Sequence, residues 1–495
     1  MPESPSPISW LPPELLSKIF YSCLPRNRRV RPHPHRAPLQ MAQVSQQWRQ
    51  VAVSTPALWR SIYLVFPWDH PYDGVPTLFG APEAEYLAGD VTSLLEVWIA
   101  RAGALTLSLG IHAFYPLPRE LISLIVRYHS RWESLQLMIN TADTLEICGL
   151  RETFPALTSF FCVTKASQEI EASTPAFLHG APNLTVLHVP YWRWLDAHVQ
   201  LTSITALSLF YAPWEGDLYH SLMDVLSSLP ALRHLETSYL FPEHPATVGS
   251  AAEVQWHTPP LESLLLSGYT STVLQHLTLP TLRHLQVLIT AQAKSQLKAV
   301  QNFVARSRCV LSHLSIAVTS DLAAAPGYVE AEIECLACVP SLVTLEFNSM
   351  YSGMSITMPR HANDARFAVL CQAESDPAFL PQLRYLLVGD EAGEAVTYET
   401  FVNVLDARPA IRFASLALDP IGDVRDLIRP PPQAILDRLQ AHRARGVDVQ
   451  MSTPQLQWPL STEDDDAPPE LYYTEWPDPW RNRTKPAPFF PLSCG

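Results

Sequence analysis

Apolar residues near the amino end of the chain recur at the spacing of a short amphipathic helix. Leu15, Leu16, Ile19 and Phe20 would lie on one side of such a helix. Pro13 suits its first turn, because the amide that proline lacks would have no partner there in any case. The pattern predicts a first helix that begins near Pro13 and packs by one face.

Two further helices are predicted before residue 60. The apolar stripe of the second consists of Met41, Val44, Trp48 and Val51. The third should begin at Thr55, whose hydroxyl can cap free amides, with Pro56 at its first position. Three short helices in about fifty residues approach the size at which an isolated core is marginal. We therefore expect the stability of this unit to depend on contacts with a partner or with the rest of the chain.

A second pattern fills the chain from residue 104 to residue 418. Each occurrence holds three apolar residues, separated first by two residues and then by one, and it is often opened by a proline. The alternation predicts a strand, and helical stretches lie between the occurrences. The middle apolar residues recur about every 28 positions. They are Leu107, Leu135, Phe160, Leu187, Leu207, Leu235, Leu264, Leu285, Leu314, Leu345, Leu386 and Leu416.

This pattern resembles that of degenerate leucine-rich repeats, although only Asn140 stands where such repeats commonly carry an asparagine that bonds the turn backbone. The resemblance implies an α/β fold, in which a short three-helix domain precedes a curved solenoid with parallel strands on one face and helices on the other. The expected organisation is an amino-terminal domain at 1–66 with its core at 8–66, a solenoid at 67–451 with an insertion near 352–376 and a terminal helix and strand at 433–451, and an acidic tail rich in proline and aromatic residues at 452–495.

Charge narrows the range of partners. The net charge is −14, yet residues 1–66 carry eight Lys and Arg against two acids. Because phosphate binding requires clustered cations, the acidic remainder argues against nucleic acid as a partner. The basic loop at 26–36 is the exception, and we interpret it as a solvated linker between two helices. The sequence has no run of eighteen apolar residues, so no membrane-spanning helix is predicted.

The amino-terminal residues resemble an F-box. The order Leu-Pro-Pro-Glu-Leu-Leu from Leu11, Val-Ser-x-x-Trp-Arg from Val44 and Thr-Pro-x-Leu-Trp from Thr55 is that of the family. The resemblance implies that the helices dock onto the small adaptor subunit of cullin-based ubiquitin ligases, with the cullin as an indirect partner. It assigns adaptor binding to Leu11, Pro12, Pro13, Leu15, Ile19, Leu39, Val44, Trp48, Leu58 and Trp59. Alternatively, these residues form only the core of a helical cap on the solenoid.

An aromatic cluster is the candidate surface for a protein client. Tyr191, Tyr211 and Tyr239 each lie two residues past the last apolar position of consecutive repeats. Large amphipathic rings dominate binding hot spots. The candidate client-binding residues are Tyr191, Trp192, Tyr211, Trp214, Tyr239 and Tyr269. The alternative is that strand alternation turns the tyrosines inward as core.

Catalytic chemistry is not expected. Cys335 and Cys338 have the spacing of half a zinc site, but the sequence has no second pair of cysteines with this spacing. We interpret them as residues of a helix that buries one side. The histidines His234, His284 and His313 recur because each precedes a middle apolar residue. We expect no cofactor, no metal site and no disulfide framework, as suits a protein of the cytosol or nucleus.

Three functions remain open at this stage. The first is the substrate-recognition subunit of a ubiquitin ligase, which binds the adaptor through the F-box and a protein client through the solenoid. The second is a non-enzymatic scaffold or inhibitor whose amino-terminal helices only cap the repeats. The third, and least favoured, is an enzyme that uses the insertion at 352–376 as a lid.

Overall fold

The computed structural model divides the chain into two compact units, Met1–Gly216 with Glu475–Arg483 and Asp217–Thr474 with Thr484–Gly495. We refer to them as unit 1 and unit 2. The structure describes residues 11–25, 29–66, 91–113, 116–164, 175–191, 201–211, 226–238, 259–267, 270–289, 293–319, 327–350, 364–371, 378–390, 397–418, 430–452 and 457–458.

Unit 1 begins with the predicted helices, which we call the amino-terminal module (residues 11–59). The elements are α1 (Pro13–Ser22), α2 (Met41–Val44), α3 (Gln46–Val53) and a 3₁₀ turn at Pro56–Trp59. The single second helix of the prediction is wrong, because Ser45 interrupts it. The Ser45 hydroxyl accepts a hydrogen bond from the Trp48 amide at 3.1 Å and starts α3 as a new helix.

The start of the third element also differs from the prediction. Thr55 does not cap an amide; its hydroxyl donates to the carbonyl of Val51 at 2.7 Å. Pro56 stands in the first turn as expected, and the turn is a 3₁₀ helix of four residues. Thr55 therefore ties the turn to the end of α3.

The rest of unit 1 repeats a strand and a helical segment. Six strands pair in parallel in chain order: β1 (Ser61–Val65), β2 (Leu107–His112), β3 (Trp132–Met138), β4 (Ser159–Val163), β5 (Val186–Tyr191) and β6 (Ala206–Tyr211). The described helices between them are α4 (Val91–Arg101), α5 (Arg119–Arg127) and α6 (Thr141–Cys148), with 3₁₀ turns at His129–Arg131 and Ala176–Gly180.

The strand register follows the predicted apolar positions after one correction. Leu135, Phe160, Leu187 and Leu207 are neighbours in register on consecutive strands, and all are buried. The partner of Leu135 on the preceding strand is Leu109 rather than the predicted Leu107. Leu107 is also buried, because it lies two residues before Leu109 and its side chain is therefore on the same face of β2.

Hydroxyl groups and one asparagine satisfy the turn backbone in unit 1. The Thr158 hydroxyl donates to the Glu133 carbonyl at 3.0 Å, that of Thr185 to Thr158 at 3.1 Å, and that of Thr205 to Thr185 at 3.2 Å. Asn140 caps α6 through the amide of Asp143 at 3.1 Å. The threonines before β4, β5 and β6 thus bond the backbone of the preceding repeat.

Unit 2 continues the same alternation. Its strands are β7 (His234–Ser238), β8 (Ser263–Ser267), β9 (His284–Ile289), β10 (His313–Thr319), β11 (Thr344–Met350), β12 (Tyr385–Asp390), β13 (Phe413–Leu418), β14 (Asp448–Ser452) and β15 (Gln457–Trp458). Its described helices are α7 (Thr270–His276), α8 (Ala293–Ser307), α9 (Tyr328–Ala337), α10 (Asp364–Cys371), α11 (Tyr398–Ala407) and α12 (Gln433–Ala444). Strands β7 to β14 pair in parallel, whereas β15 is antiparallel to β14.

The register of unit 2 corrects one more predicted position. Leu345 pairs with Leu386, and Leu386 pairs with Ala414 rather than with the predicted Leu416. Ala414 and Leu416 are both buried on one face of β13. Alternation alone cannot distinguish two inward positions on one strand, so the register had to come from the pairing.

A buried ion pair joins α9 to α10. The Arg366 guanidinium donates to both carboxylate oxygens of Glu332, at 2.6 and 2.7 Å, and the Tyr328 hydroxyl donates to Glu332 at 2.9 Å. Helix α10 lies in the segment predicted as an insertion, yet it packs between α9 and α11 in the row of repeat helices. The rest of that segment, at 352–363 and 372–376, lies outside the described residues.

The predicted fold class is confirmed. Each unit combines an open, mainly parallel sheet with helices that connect its strands, and the helical amino-terminal module comes first. The predicted tail at 452–495 lies outside the described residues except for Ser452 and β15.

Candidate protein-binding face of the amino-terminal module

Helix α1 is apolar on two sides, and only one of them is used inside the protein. Leu16 and Phe20 are fully buried. Leu15 and Ile19, one turn apart on a different side, remain 46% and 42% exposed. Scattered exposed leucines are ordinary, whereas an adjacent exposed pair on so short a helix marks a surface that a partner could cover.

The other predicted contact residues of α1 to α3 fall into two groups. Val44, at the end of α2, is 58% exposed, and Pro12 and Pro13 are exposed as well. Leu11, Leu39 and Trp48 are half-buried. We call the exposed set Pro12, Pro13, Leu15, Ile19 and Val44 the α1/α2 face.

The last two predicted contact residues, Leu58 and Trp59, are fully buried. The Trp59 indole nitrogen donates to the Ala52 carbonyl at 2.8 Å, and its ring meets that of Trp98 edge to face, with 4.7 Å between centroids. The Trp98 indole nitrogen in turn donates to the Ser61 carbonyl at 3.0 Å. The 3₁₀ turn of the module is therefore part of the core that continues into α4 and β1. Adaptor contact by Leu58 and Trp59 stays a prediction that the burial of both side chains does not favour.

Charged groups strengthen this junction. The Arg101 guanidinium lies 4.3 Å from the ring centroid of Trp59. Arg60 forms an ion pair with Glu133 and donates to the Thr106 hydroxyl at 3.0 Å. These contacts attach the carboxyl end of the module to the first two repeats of unit 1, so the α1/α2 face is presented from a fixed base.

The basic loop is less solvated than predicted. Residues 26–28 lie outside the described part, but Val30 is buried and its carbonyl accepts a hydrogen bond from the Tyr63 amide at 2.8 Å. The guanidinium of Arg29 lies 5.3 Å from the Tyr63 ring centroid. The loop thus covers the exposed edge of β1, a position where an open strand would otherwise invite pairing with another chain.

His112 lies near this loop and is neutral at physiological pH. Burial, with the nearby charges of Arg31 and Arg29, lowers the pKa of His112 to about 4. A neutral imidazole tolerates the two arginines without charge repulsion. His112 is therefore an uncharged side chain at the end of β2, beside the basic loop.

The predicted client surface is described only in part. The backbones of Tyr191 and Tyr211 are neighbours in register at the ends of β5 and β6. Trp192, Trp214, Tyr239 and Tyr269 lie outside the described residues. Client binding at these positions therefore stays a prediction.

The remaining candidate chemistry has a packing explanation. Cys335 is buried, with a pKa raised by burial, while the Cys338 thiol is exposed and donates to the Glu334 carbonyl. The rings of His284 and His313 are in contact, tilted by 51° with 4.3 Å between their centroids, at the first positions of neighbouring strands. Among the described residues no group of three metal-ligating side chains comes together, and no helix has the length and apolar character needed to cross a bilayer.

Comparison with known proteins identifies the amino-terminal module. Residues 8–65 match the family model described as F-box-like, which confirms the resemblance drawn from the sequence. The match covers the module and β1, so its boundary coincides with the end of β1 at Val65.

The search of solved structures found the leucine-rich repeat-containing protein LegL7 from Legionella pneumophila, at 11% sequence identity and a TM-score of 0.36, with 63% of this chain and 87% of that chain covered. No curated protein matches the chain. The chain therefore carries an F-box-like domain followed by a repeat fold, and folds of both kinds are typically non-catalytic interaction modules.

Proposed function

We propose that this protein is the substrate-recognition subunit of a cullin-based ubiquitin ligase. The α1/α2 face binds the small adaptor subunit, the adaptor links the protein to the cullin, and the repeats bind the protein to be modified. Catalysis belongs to the other subunits, and the protein works in the cytosol or nucleus, where that machinery acts.

One observation carries the proposal. Inside a domain that matches an F-box-like family, Leu15 and Ile19 remain exposed although Leu16 and Phe20 of the same helix fill the core. Burial of apolar surface contributes about 25 cal/mol per Å² removed from water, so a partner that covers this pair gains affinity without any rearrangement of the module.

The module is also firmly attached to the first repeats of unit 1. Trp59 and Arg60 join it to Trp98 and Glu133 of unit 1. A receptor of this kind accelerates modification by proximity, because a client held beside the charged ubiquitin carrier reacts at a high effective concentration. A rigid junction keeps that proximity from being lost to motion between receptor and adaptor.

The repeats supply the surface for the client. We assign client contact to the aromatic cluster headed by Tyr191 and Tyr211, whose backbones are adjacent on β5 and β6. Aromatic side chains offer large contact area at low conformational-entropy cost. The identity of the client is not specified by these residues.

A scaffold or inhibitor is the second candidate, and the burial of Leu58 and Trp59 is the observation that favours it. In that function the module only closes the end of the repeats. The two functions differ in what they require of Leu15 and Ile19, because a cap has no use for apolar side chains on its solvent side.

Co-purification with the adaptor tests the proposal. The full-length chain and a variant with Leu15→Asp and Ile19→Asp are each co-expressed with the adaptor. We expect the unaltered chain to retain the adaptor and the variant to lose it, since two buried carboxylates at an apolar interface are strongly unfavourable.

The matched control is Val97→Asp, which places a carboxylate on another exposed apolar position of unit 1, 45% exposed on α4. This variant should retain the adaptor as fully as the unaltered chain. If the unaltered chain fails to retain the adaptor while folded, the scaffold function replaces the proposal.

A further inference from the structure

Unit 2 contains a cavity of about 570 Å³ where the chain passes from helices α11 and α12 into strands β13 and β14. Its volume lies within the range of about 300 to 1,000 Å³ that small-molecule sites occupy. Five of the residues that line it are basic, and none of the described lining residues is acidic. The basic lining residues are Arg384, Arg408, Arg412, His442 and Arg445.

Arg384 and Arg412 are adjacent in a row of residues that directly precede the strands. The amide of Arg412 donates to the Arg384 carbonyl at 2.8 Å, so the two side chains start from neighbouring strands in register. Like charges in this position repel each other and lower stability. An anion close to both guanidinium groups would relieve this repulsion.

The same row shows how the chain neutralises arginines elsewhere. Before β7, β8 and β9 the corresponding residues are Arg233, Glu262 and Arg283. The Glu262 carboxylate forms an ion pair with Arg233, and the backbone carbonyl of Glu262 accepts a hydrogen bond from the Arg283 amide at 2.9 Å. In this row Arg384 and Arg412 are direct neighbours, and the positions on either side of them are held by Val343 and Val447 rather than by an acid.

Guanidinium groups at the cavity retain hydrogen-bond donors. Arg384 uses one nitrogen for the carbonyls of Pro381 and Leu383, at 3.3 and 2.9 Å. The exposed side chain of Arg412 makes no hydrogen bond to the described residues, and Arg445 directs one nitrogen to His442 at 2.7 Å. Each guanidinium has five N–H donors in a planar fork, the geometry that matches phosphate oxygens.

The other two groups are fixed. Arg408 is buried and donates to the carbonyls of Leu370 and Leu380, so it contributes charge without moving. His442 donates to Asp406 at 2.8 Å. Asp406 is outside the cavity lining, and its oxygen lies 3.8 Å from the nearest nitrogen of Arg445. The positive charge facing the cavity is therefore only partly offset.

We propose that this cavity binds a small phosphorylated molecule, whose phosphate lies between the guanidinium groups of Arg384 and Arg412, with Arg445 at its rim. The remaining volume takes the organic part of the ligand. This site is independent of adaptor binding, because it lies within unit 2 and uses none of the residues of the α1/α2 face.

Calorimetric titration of the full-length chain with pyrophosphate, at constant ionic strength set by chloride, tests the site. We expect saturable binding that weakens about tenfold or more in the variant Arg384→Gln, Arg412→Gln, since charge-assisted bonds to phosphate are the strong ones. Arg412→Gln alone keeps every described hydrogen bond of the fold and should weaken binding in the same direction. The matched control, Arg233→Gln with Arg283→Gln, alters the same row where an acid is present and should leave binding unchanged.

Titrations with two further ligands distinguish a small phosphorylated molecule from a phosphorylated peptide. Adenosine monophosphate should bind at least as tightly as inorganic phosphate, because its organic part fills the cavity. A phosphoserine peptide that binds more tightly than both, and loses binding in the Arg384/Arg412 variant, would overturn the small-molecule assignment. Absence of saturable pyrophosphate binding, or equal loss in the control variant, would overturn the site itself.

Discussion

The ring of Trp48 lies against the ring of Phe20, with 4.9 Å between their centroids and 52° between their planes. This contact joins α3 to α1. Because Phe20 is fully buried, the helix is fixed in rotation about its axis, and Leu15 and Ile19 are kept on its outer side. Trp48 therefore supports the α1/α2 face from within, whether or not its own ring also touches a partner.

Truncation of Trp48 should lower stability as well as binding. We expect Trp48→Ala to reduce the free energy of unfolding by about 2–4 kcal/mol, through loss of the Phe20 contact and the cavity left behind. Val44→Ala, at an exposed position, should cost less than about 0.5 kcal/mol. Urea unfolding of both variants measures the difference, and equal stability of the two would contradict the supporting role of Trp48.

The repeats could be predicted from the sequence because alternation fixes which face is buried. Leu187, Leu235 and Leu345 are all buried on paired strands, as expected. Register is a different matter, since two inward residues on one strand satisfy the alternation equally. The corrections from Leu107 to Leu109 and from Leu416 to Ala414 both have this cause.

The candidate site was harder to predict for a similar reason. The F-box-like pattern marks apolar positions but does not separate core residues from contact residues. Leu15 and Leu16 are chemically identical neighbours, yet one is exposed and the other buried. One feature of the module did have a signal in the sequence. Ser45 is a good N-cap residue in the middle of the predicted second helix, and it marks the point where that helix divides into α2 and α3. The basic cavity of unit 2 was missed because its arginines are far apart in sequence and meet only through strand pairing.

The buried pair of Glu332 and Arg366 predicts an asymmetric response to mutation. Glu332→Ala leaves the guanidinium of Arg366 buried without its carboxylate, and we expect a loss of about 3–5 kcal/mol. The guanidinium charge would then lie against the aromatic rings of Tyr328 and Phe347 without the carboxylate that balances it. Denaturant unfolding of full-length protein measures the loss.

The double variant Glu332→Leu with Arg366→Met is the control for that prediction. It removes both charges together and keeps most of the apolar volume, so it should be clearly more stable than Glu332→Ala. A double variant as unstable as the single one would contradict this explanation.

The histidines of unit 2 predict acid sensitivity. Burial lowers the pKa of His234 to about 4 and that of His313 to about 3, and it also lowers the pKa of His284. The unfolded chain then binds more protons than the folded chain below the ordinary histidine pKa of about 6.5. Stability should therefore be complete above that pH and fall as the pH decreases toward 4.

The variant His234→Gln tests this sign. Each such histidine contributes at most about 1.4 kcal/mol per pH unit to the slope of unfolding free energy between its two pKa values. The variant should show a shallower decrease in stability between about pH 6.5 and about pH 4. An unchanged slope would contradict the assignment of acid sensitivity to these histidines.

The aromatic cluster predicts a separation of two binding activities. Tyr211→Ala combined with Tyr239→Ala should abolish capture of the client, since truncation at a true hot spot costs about 2 kcal/mol or more. Adaptor binding should be unaffected. Proximity labelling under proteasome inhibition, with adaptor recovery scored in the same samples, measures both. Equal loss of the two activities, or of neither, contradicts the assignment.

Site-specific photo-crosslinking tests the central claim most directly. A photoreactive side chain is placed at Ile19, within the α1/α2 face, or at Val310, which is 68% exposed in unit 2, and purified adaptor is added. We expect a crosslinked product from position 19 that competes away with excess unlabelled protein, and none from position 310. Adaptor binding of full strength without a crosslink from position 19, or equal products from both positions, would contradict docking through this face.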